Sequence, residues 1–321
     1  MPLYDTIEKR ILNSAPVNFI AEKSKHISLP GFRGVSLYDV WMFFWKQVKT
    51  VGMTERASSI AFNFTMAIPP AIIFLFTLIP FIPISEEVIN ELYTLIRDII
   101  PGQKNNSPLI DFLDDFLNNP RNGLLSIGFI LSLFFSSNAM MGIMRSFDKN
   151  YIGFNKRGDI HKRLIALKLT VTFYFLLLLA IFVIAMRSEV LIWLDIKNET
   201  ALVIIKNLRW LIIILLFFYI ISFIYKYAPA VPKKWKLITP GSILATFMML
   251  VFTMFFSWWV NNFANYNQLY GPISIVLVLM LLIYFNSLVL LIGFELNVSI
   301  SSLRKIADER DKNDAGGDEL S

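Results

Sequence analysis

Six runs of roughly twenty apolar residues, near 60–82, 123–144, 164–186, 210–224, 238–260 and 271–294, alternate with polar gaps along the chain. Each is close to the length a helix needs to cross a hydrocarbon core about 30 Å thick. Backbone N–H and C=O groups in lipid must be satisfied within the segment, so the runs predict helices rather than strands. A soluble chain would have to bury all six in one core, and helices apolar on every side are uncommon there. The expected fold class is therefore an all-α integral membrane protein with six transmembrane helices. Its expected parts are an N-terminal segment over 1–50, a membrane domain over 51–303 and a disordered tail over 304–321.

The gaps carry patterns of their own. From Ser36 onward Leu37, Val40, Trp41, Phe44, Trp45 and Val48 alternate with Asp39, Lys46, Gln47 and Lys49. This predicts an amphipathic helix, either lying at the inner membrane interface or packed on the protein. In the first outer loop, Val88, Leu92, Leu95, Ile96 and Ile99 recur at helical spacing behind Ser85, Glu86 and Glu87. Leu109, Phe112, Leu113, Phe116 and Leu117 follow Ser107-Pro108, a good N-cap and first-turn pair. Two short amphipathic helices are expected over 84–122, as a lid on the bundle. Trp193, Trp210, Trp258 and Trp259 fall at expected outer ends, and Trp41, Trp45 and Trp235 at inner ones.

Charge sets the orientation. Lys and Arg number eight in 1–59, six in 145–163, four in 225–237 and four in 299–321, against three in 84–122, four in 187–209 and none in 261–270. Alternate gaps are rich and poor in cations, the positive-inside pattern, with both termini expected in the cytoplasm. The formal charge of +6 is thus a topology signal rather than a nucleic-acid signal. Membrane lipids, with anionic headgroups at the inner face, are the expected partners. No secretory signal is visible in the first fifty residues, so the first span is expected to direct insertion.

Within spans almost free of charge, the polar exceptions are the informative positions. Asn63, Asn138, Arg145, Lys168, Glu295 and Asn297 all fall toward the inner end. One reading gathers them into a polar cavity open to the inside, with Glu295 paired to Lys168 or Arg145. The other makes the amides interhelical glue, lets Lys168 snorkel and leaves Glu295 interfacial. The chain has no cysteine and only two histidines, His26 and His161. That leaves no thiolate or His-built metal site, and there is no Walker loop, nucleophile elbow or HExxH. No cofactor and no enzymatic activity are expected.

Gly52-Met53-Thr54-Glu55-Arg56-Ala57-Ser58-Ser59-Ile60-Ala61-Phe62, Ser136-Ser137-Asn138 leading to Asn150-Tyr151, and Tyr225 to Pro229 followed by Pro240-Gly241 occur in order along 37–303. Tyr266-Asn267 through Tyr270-Gly271 and Gly293-Phe294-Glu295-Leu296-Asn297 complete the set. In these stretches the chain resembles the YihY/BrkB family of bacterial inner-membrane proteins, once labelled ribonuclease BN. A small residue is usual in that family where Phe294 stands. The resemblance implies six helices with both ends inside, multi-pass in the bacterial inner membrane. It also implies a transporter or translocator of a lipid or other amphipathic envelope molecule. The alternative is a non-transporting scaffold for envelope integrity, and a ribonuclease fits least. Substrate, energy coupling, oligomeric state and protein partners stay open.

Overall fold

The computed structural model describes residues 22–25, 27–28, 31–32, 34–50, 52–78, 122–148, 157–185, 199–232, 234–263 and 273–317. Between these it describes Ile89, Asn90, Tyr93, Ile110, Asp111, Asp114, Asp115 and Phe154. Regular structure among the described residues is helical, with no strand. The helices are α1 (Leu37–Thr50), α2 (Met53–Leu78), α3 (Asn122–Phe147), α4 (Asp159–Ala185), α5 (Glu199–Tyr227), α6 (Pro240–Phe263) and α7 (Ile273–Gly317). Five are long and apolar enough to cross a membrane, over Met53–Phe74, Ser126–Phe147, Asp159–Ala180, Pro240–Val260 and Val276–Glu309. The fourth expected span corresponds to α5, whose described side chains give the shorter apolar stretch Leu211–Tyr227.

Helices adjacent in sequence pack on one another from α2 to α7, and α7 closes on α2, so the bundle is a ring. In lipid such packing relies on close backbone approach rather than on a hydrophobic drive between helices. Gly241 and Gly293 supply it. A Cβ on Gly293 would lie 2.5 Å from the Gly241 carbonyl, 2.6 Å from the Tyr225 hydroxyl and 2.7 Å from the Ala245 methyl. The start of α6 is fixed equally firmly. The Thr239 and Ser242 side chains exchange bonds with each other's backbone N–H, each at 3.1 Å, and Pro240 takes the first helical position, where no N–H is needed.

The amphipathic N-terminal helix packs on the protein, one of its two expected placements. Ser36 Oγ caps α1, accepting from the Asp39 N–H at 3.1 Å and donating to the Asp39 carboxylate at 2.7 Å. Val40 and Phe44 turn inward, with Val40 joining Phe32 and Ile300 in a small core against α7. Trp41 and Trp45 stack on each other on the opposite side, 58% and 46% exposed. Ahead of α1, Gly31 adopts φ 93°, and a Cβ there would sit 2.8 Å from the Pro240 ring. The chain therefore passes tightly beneath the start of α6.

Two expectations need correction. The tail expected to be disordered from Arg304 is helical to Gly317, because α7 runs on without a break. It is rich in helix formers, and Arg304 and Lys305 each pair four residues ahead, with Asp308 and Glu309 at 3.9 Å. Trp235 is not in an interfacial belt but buried in the bundle. Most of the loop 84–122 lies outside the described residues, as do the surroundings of Trp193 and Trp210. The fragments that are described there are helical, and Tyr93 donates to Asp114. Partial burial and that carboxylate push the Tyr93 phenol up to about 12.

Candidate functional site

The polar groups concentrate at one end of the ring, where α2, α4 and α6 begin and α3 and α5 end. On α2 the buried positions Met53, Arg56, Ala57, Ile60 and Ala61 follow helical spacing, which turns Arg56 inward with the apolar stripe. On α7 the same spacing brings in Ser287, Leu291, Phe294, Glu295, Val298 and Ser302. The two stripes meet where Arg56 Nη1 donates to Glu295 Oε1 at 2.6 Å, with the side chains only 6% and 0% exposed. Arg56, rather than Lys168 or Arg145, is therefore the partner of Glu295. The sequence hides this because Arg56 stands four residues before the first apolar run and reads as one more topology charge. Its signal is depth: it opens the first span at the level where Glu295 closes the last.

Aromatic rings flank the pair. Phe147 and Phe294 stack face to face at 3.9 Å, and Tyr225, Trp235 and Phe154 surround Phe294 with centroids 5.8–6.5 Å away. The Tyr225 hydroxyl donates to the Leu290 carbonyl at 2.6 Å. A buried ion pair in so apolar a setting is weak evidence for stability in itself, but losing one member leaves an uncompensated charge. Arg56 already keeps Nε and Nη2 buried without a hydrogen-bond partner.

The other expected site residues take separate positions. Asn63 donates back to the Ser59 carbonyl at 2.7 Å, and Gly142 of α3 leaves room for its amide. Asn138 accepts from Arg163 Nη1 at 2.6 Å, and that guanidinium lies 5.1 Å from the centre of the Phe134 ring. Phe134 is 51% exposed, so this contact is on the outward side of the α3–α4 seam. Arg145 is exposed, its Nε donating to Met141 O at 3.3 Å. Lys168 stands over the Tyr227 ring at 4.4 Å. Asn297 joins α7 to α6, accepting from Gly241 N at 2.9 Å and donating to Thr239 at 3.0 Å. It also lines a cavity of about 250 Å³ with Gly31, Trp235, Lys236, Thr239 and Ser301.

The loops at this end are tied by cations. Lys162 pairs with Asp148 at 3.1 Å. Arg157 donates to the carbonyls of Tyr227, Ala228 and Pro229, at 3.4, 3.0 and 2.6 Å, and so caps the end of α5. Burial lowers the Arg157 pKa from its ordinary value, and nearby Asp148 opposes that shift. Among the described residues no group of three His, Cys, Asp or Glu side chains could hold a metal ion. What the arrangement offers chemically is charge recognition and helix anchoring.

No solved structure matches the chain. It is 28% identical over 258 residues to a protein named putative ribonuclease-like protein YfkH, from Bacillus subtilis, covering 79% of this chain and 92% of that one. It is 21% identical over 272 residues to UPF0761 membrane protein NTHI0384 of Haemophilus influenzae, covering 84% and 97%. The family model described as virulence factor BrkB matches residues 44–318, the stretch that holds α2 to α7 and the Arg56–Glu295 pair. The chain is thus a membrane protein that belongs to the virulence factor BrkB family.

Proposed function

We propose that this protein moves a lipid or another amphipathic envelope molecule across the bacterial inner membrane. In this reading six helices span the bilayer, α5 included, and the charged end faces the cytoplasm. The observation that carries it is the α3–α4 seam. There Arg163 holds Asn138 from within a span while its guanidinium lies over a half-exposed Phe134. Cations in membrane segments usually face a bundle interior or an aqueous path and mark substrate routes. Here one lies at an outward seam, where a headgroup could leave the leaflet and enter between helices. Arg145 and Lys168, both exposed, add positive charge at the same end of the bundle.

The orientation is supported by the cation alternation and is tested by labelling. Single cysteines at Asn105 and Asn267 should react with impermeant maleimide from outside, and one at Lys234 should not. The function is tested in liposomes by following fluorescent phospholipids between leaflets. Movement above empty vesicles is expected, reduced at least tenfold by Arg163→Ala if that guanidinium contributes about 1.4 kcal/mol or more to headgroup capture. Absence of movement across a panel of envelope lipids would put a non-transporting scaffold ahead. That second reading has its own support in the Gly241–Gly293 contact and the buried Arg56–Glu295 pair, which bind α2, α6 and α7 rigidly together. The ribonuclease-like name of the Bacillus relative finds least support: the sequence offers only His26 and His161, and His161 is exposed.

A further inference from the structure

Three ammonium groups converge on one aromatic ring at the end of α5. Lys168 Nζ stands 4.4 Å from the centre of the Tyr227 ring, Lys234 Nζ 4.8 Å and Lys226 Nζ 5.5 Å. The three nitrogens therefore lie within roughly 10 Å of one another, more cations than one ring needs for cation–π contact. They come from different places: Lys168 from the second turn onward of α4, Lys226 from the last turn of α5, Lys234 from the segment before α6. No described carboxylate pairs with any of them. The nearest acid in these loops, Asp148, is held by Lys162 and faces Arg157. Nor are they needed to cap α5, since Arg157 already occupies its terminal carbonyls. Like charges are held together here with no anion among the described residues to balance them.

The surface beside them is apolar. Tyr219, Phe223 and Tyr227 form a ladder along α5, with successive ring centroids at 5.9 and 4.4 Å. Beside the ladder, Leu169, Phe173, Phe223 and Ile224 close the α4–α5 seam, leaving only a void of about 10 Å³. A concentrated positive head site at the end of an apolar, membrane-facing strip has the polarity of a phospholipid. We propose that Lys168, Lys226 and Lys234, gathered round Tyr227, hold the phosphate of an anionic phospholipid whose acyl chain lies along the Tyr219–Phe223–Tyr227 ladder of α5. This deepens the reading of the chain as a lipid-handling protein by giving the headgroup a definite seat, and it holds whether or not that lipid is then moved.

The experiment is lipid selectivity by electron-spin resonance, on the full chain reconstituted in phosphatidylcholine with trace spin-labelled phosphatidylglycerol or phosphatidylcholine. The wild type should favour the anionic probe. Each Lys→Gln change should reduce the preference about fivefold, the value of roughly 1 kcal/mol per surface cation. The triple Lys→Arg variant should retain the preference, and an Arg304→Gln, Lys305→Gln control should match the wild type. Equal selectivity in the wild type and the Lys168→Gln, Lys226→Gln, Lys234→Gln variant would overturn the proposal. Displacement of the lipid by inorganic phosphate at constant ionic strength would assign the seat to a free anion instead. Should the triple Gln variant fail to fold, Lys168→Gln and Tyr227→Leu singly carry the same test. Selectivity without leaflet exchange sinks translocation and leaves the seat; exchange without selectivity does the reverse.

Discussion

Arg56 with Glu295 and the lysines around Tyr227 stand at the same end of one bundle, yet charge is handled in opposite ways. In the first, a cation and an anion are withdrawn from solvent together and ringed by Phe147, Phe294 and their neighbours. Removing either member would leave the other's charge buried without its counter-ion. In the second, Lys168 and Lys234 are exposed and no described acid balances them. Each is close to solvent or headgroups and can be removed without leaving a buried charge. The difference separates two uses of charge in a membrane protein: one fixes helices and the other meets the surroundings.

The comparison breaks first at the buried pair. Glu295→Ala should cost about 3–5 kcal/mol by leaving Arg56 uncompensated. Thermal unfolding in detergent should show a large drop, and Arg56→Met with Glu295→Leu should recover much of it. If either single variant melts like wild type, the pair is not a lock. Next comes Gly241→Ala, whose methyl would meet the Gly293 carbonyl and lie 2.6 Å from the Asn297 side chain. Overpacking of about 1–3 kcal/mol is expected, read in the same melts. Lys234→Gln should stay within about 0.5 kcal/mol of the parent, because nothing buried depends on it. A strong loss there would mean that the lysines are structural after all. The smallest effect belongs to Lys305→Ala, where one exposed i,i+4 pair is worth about 0.3–0.5 kcal/mol. Circular dichroism should show only slight fraying beyond Arg304.

Much of the bundle was legible because lipid imposes a strong rule on sequence. The runs at 123–144, 164–186 and 238–260 fall on α3, α4 and α6, with α4 starting five residues earlier, at Asp159. Helix α2 starts at Met53, close to the cap that Thr54-Glu55 offers and ahead of the apolar run near 60–82. Where the chain leaves hydrocarbon the rule lapses, and there the reading failed. The tail from Arg304 reads as disordered by composition but inherits the helix that precedes it. Asn63, Asn138 and Glu295 stand out in the sequence as polar residues within spans. Their partners Ser59, Arg163 and Arg56 were not foreseen, since pairing depends on how helices rotate against one another. Hydropathy gives depth, not rotation. Lys226 and Lys234 were counted only as topology charges, and Tyr227 carried no signal until α4 and α5 were set side by side.

Helix α7 has 45 residues, so at 1.5 Å per residue it is a rod about 67 Å long, more than twice the hydrocarbon thickness. Glu295, Gly293 and Asn297 are keyed into it within five positions, to α2 through Arg56 and to α6 through Gly241 and Thr239. Mechanically it is a shaft with three keys cut at one level. Roughly 33 Å of that shaft projects past Glu295 to Gly317. A torque applied to its far end cannot release one key while sparing the others. Rotation by a single residue step, about 100°, would carry the carboxylate, the glycine face and the amide out of register at once. The bundle therefore resists small twists of the shaft, and would yield to a large one as a single event.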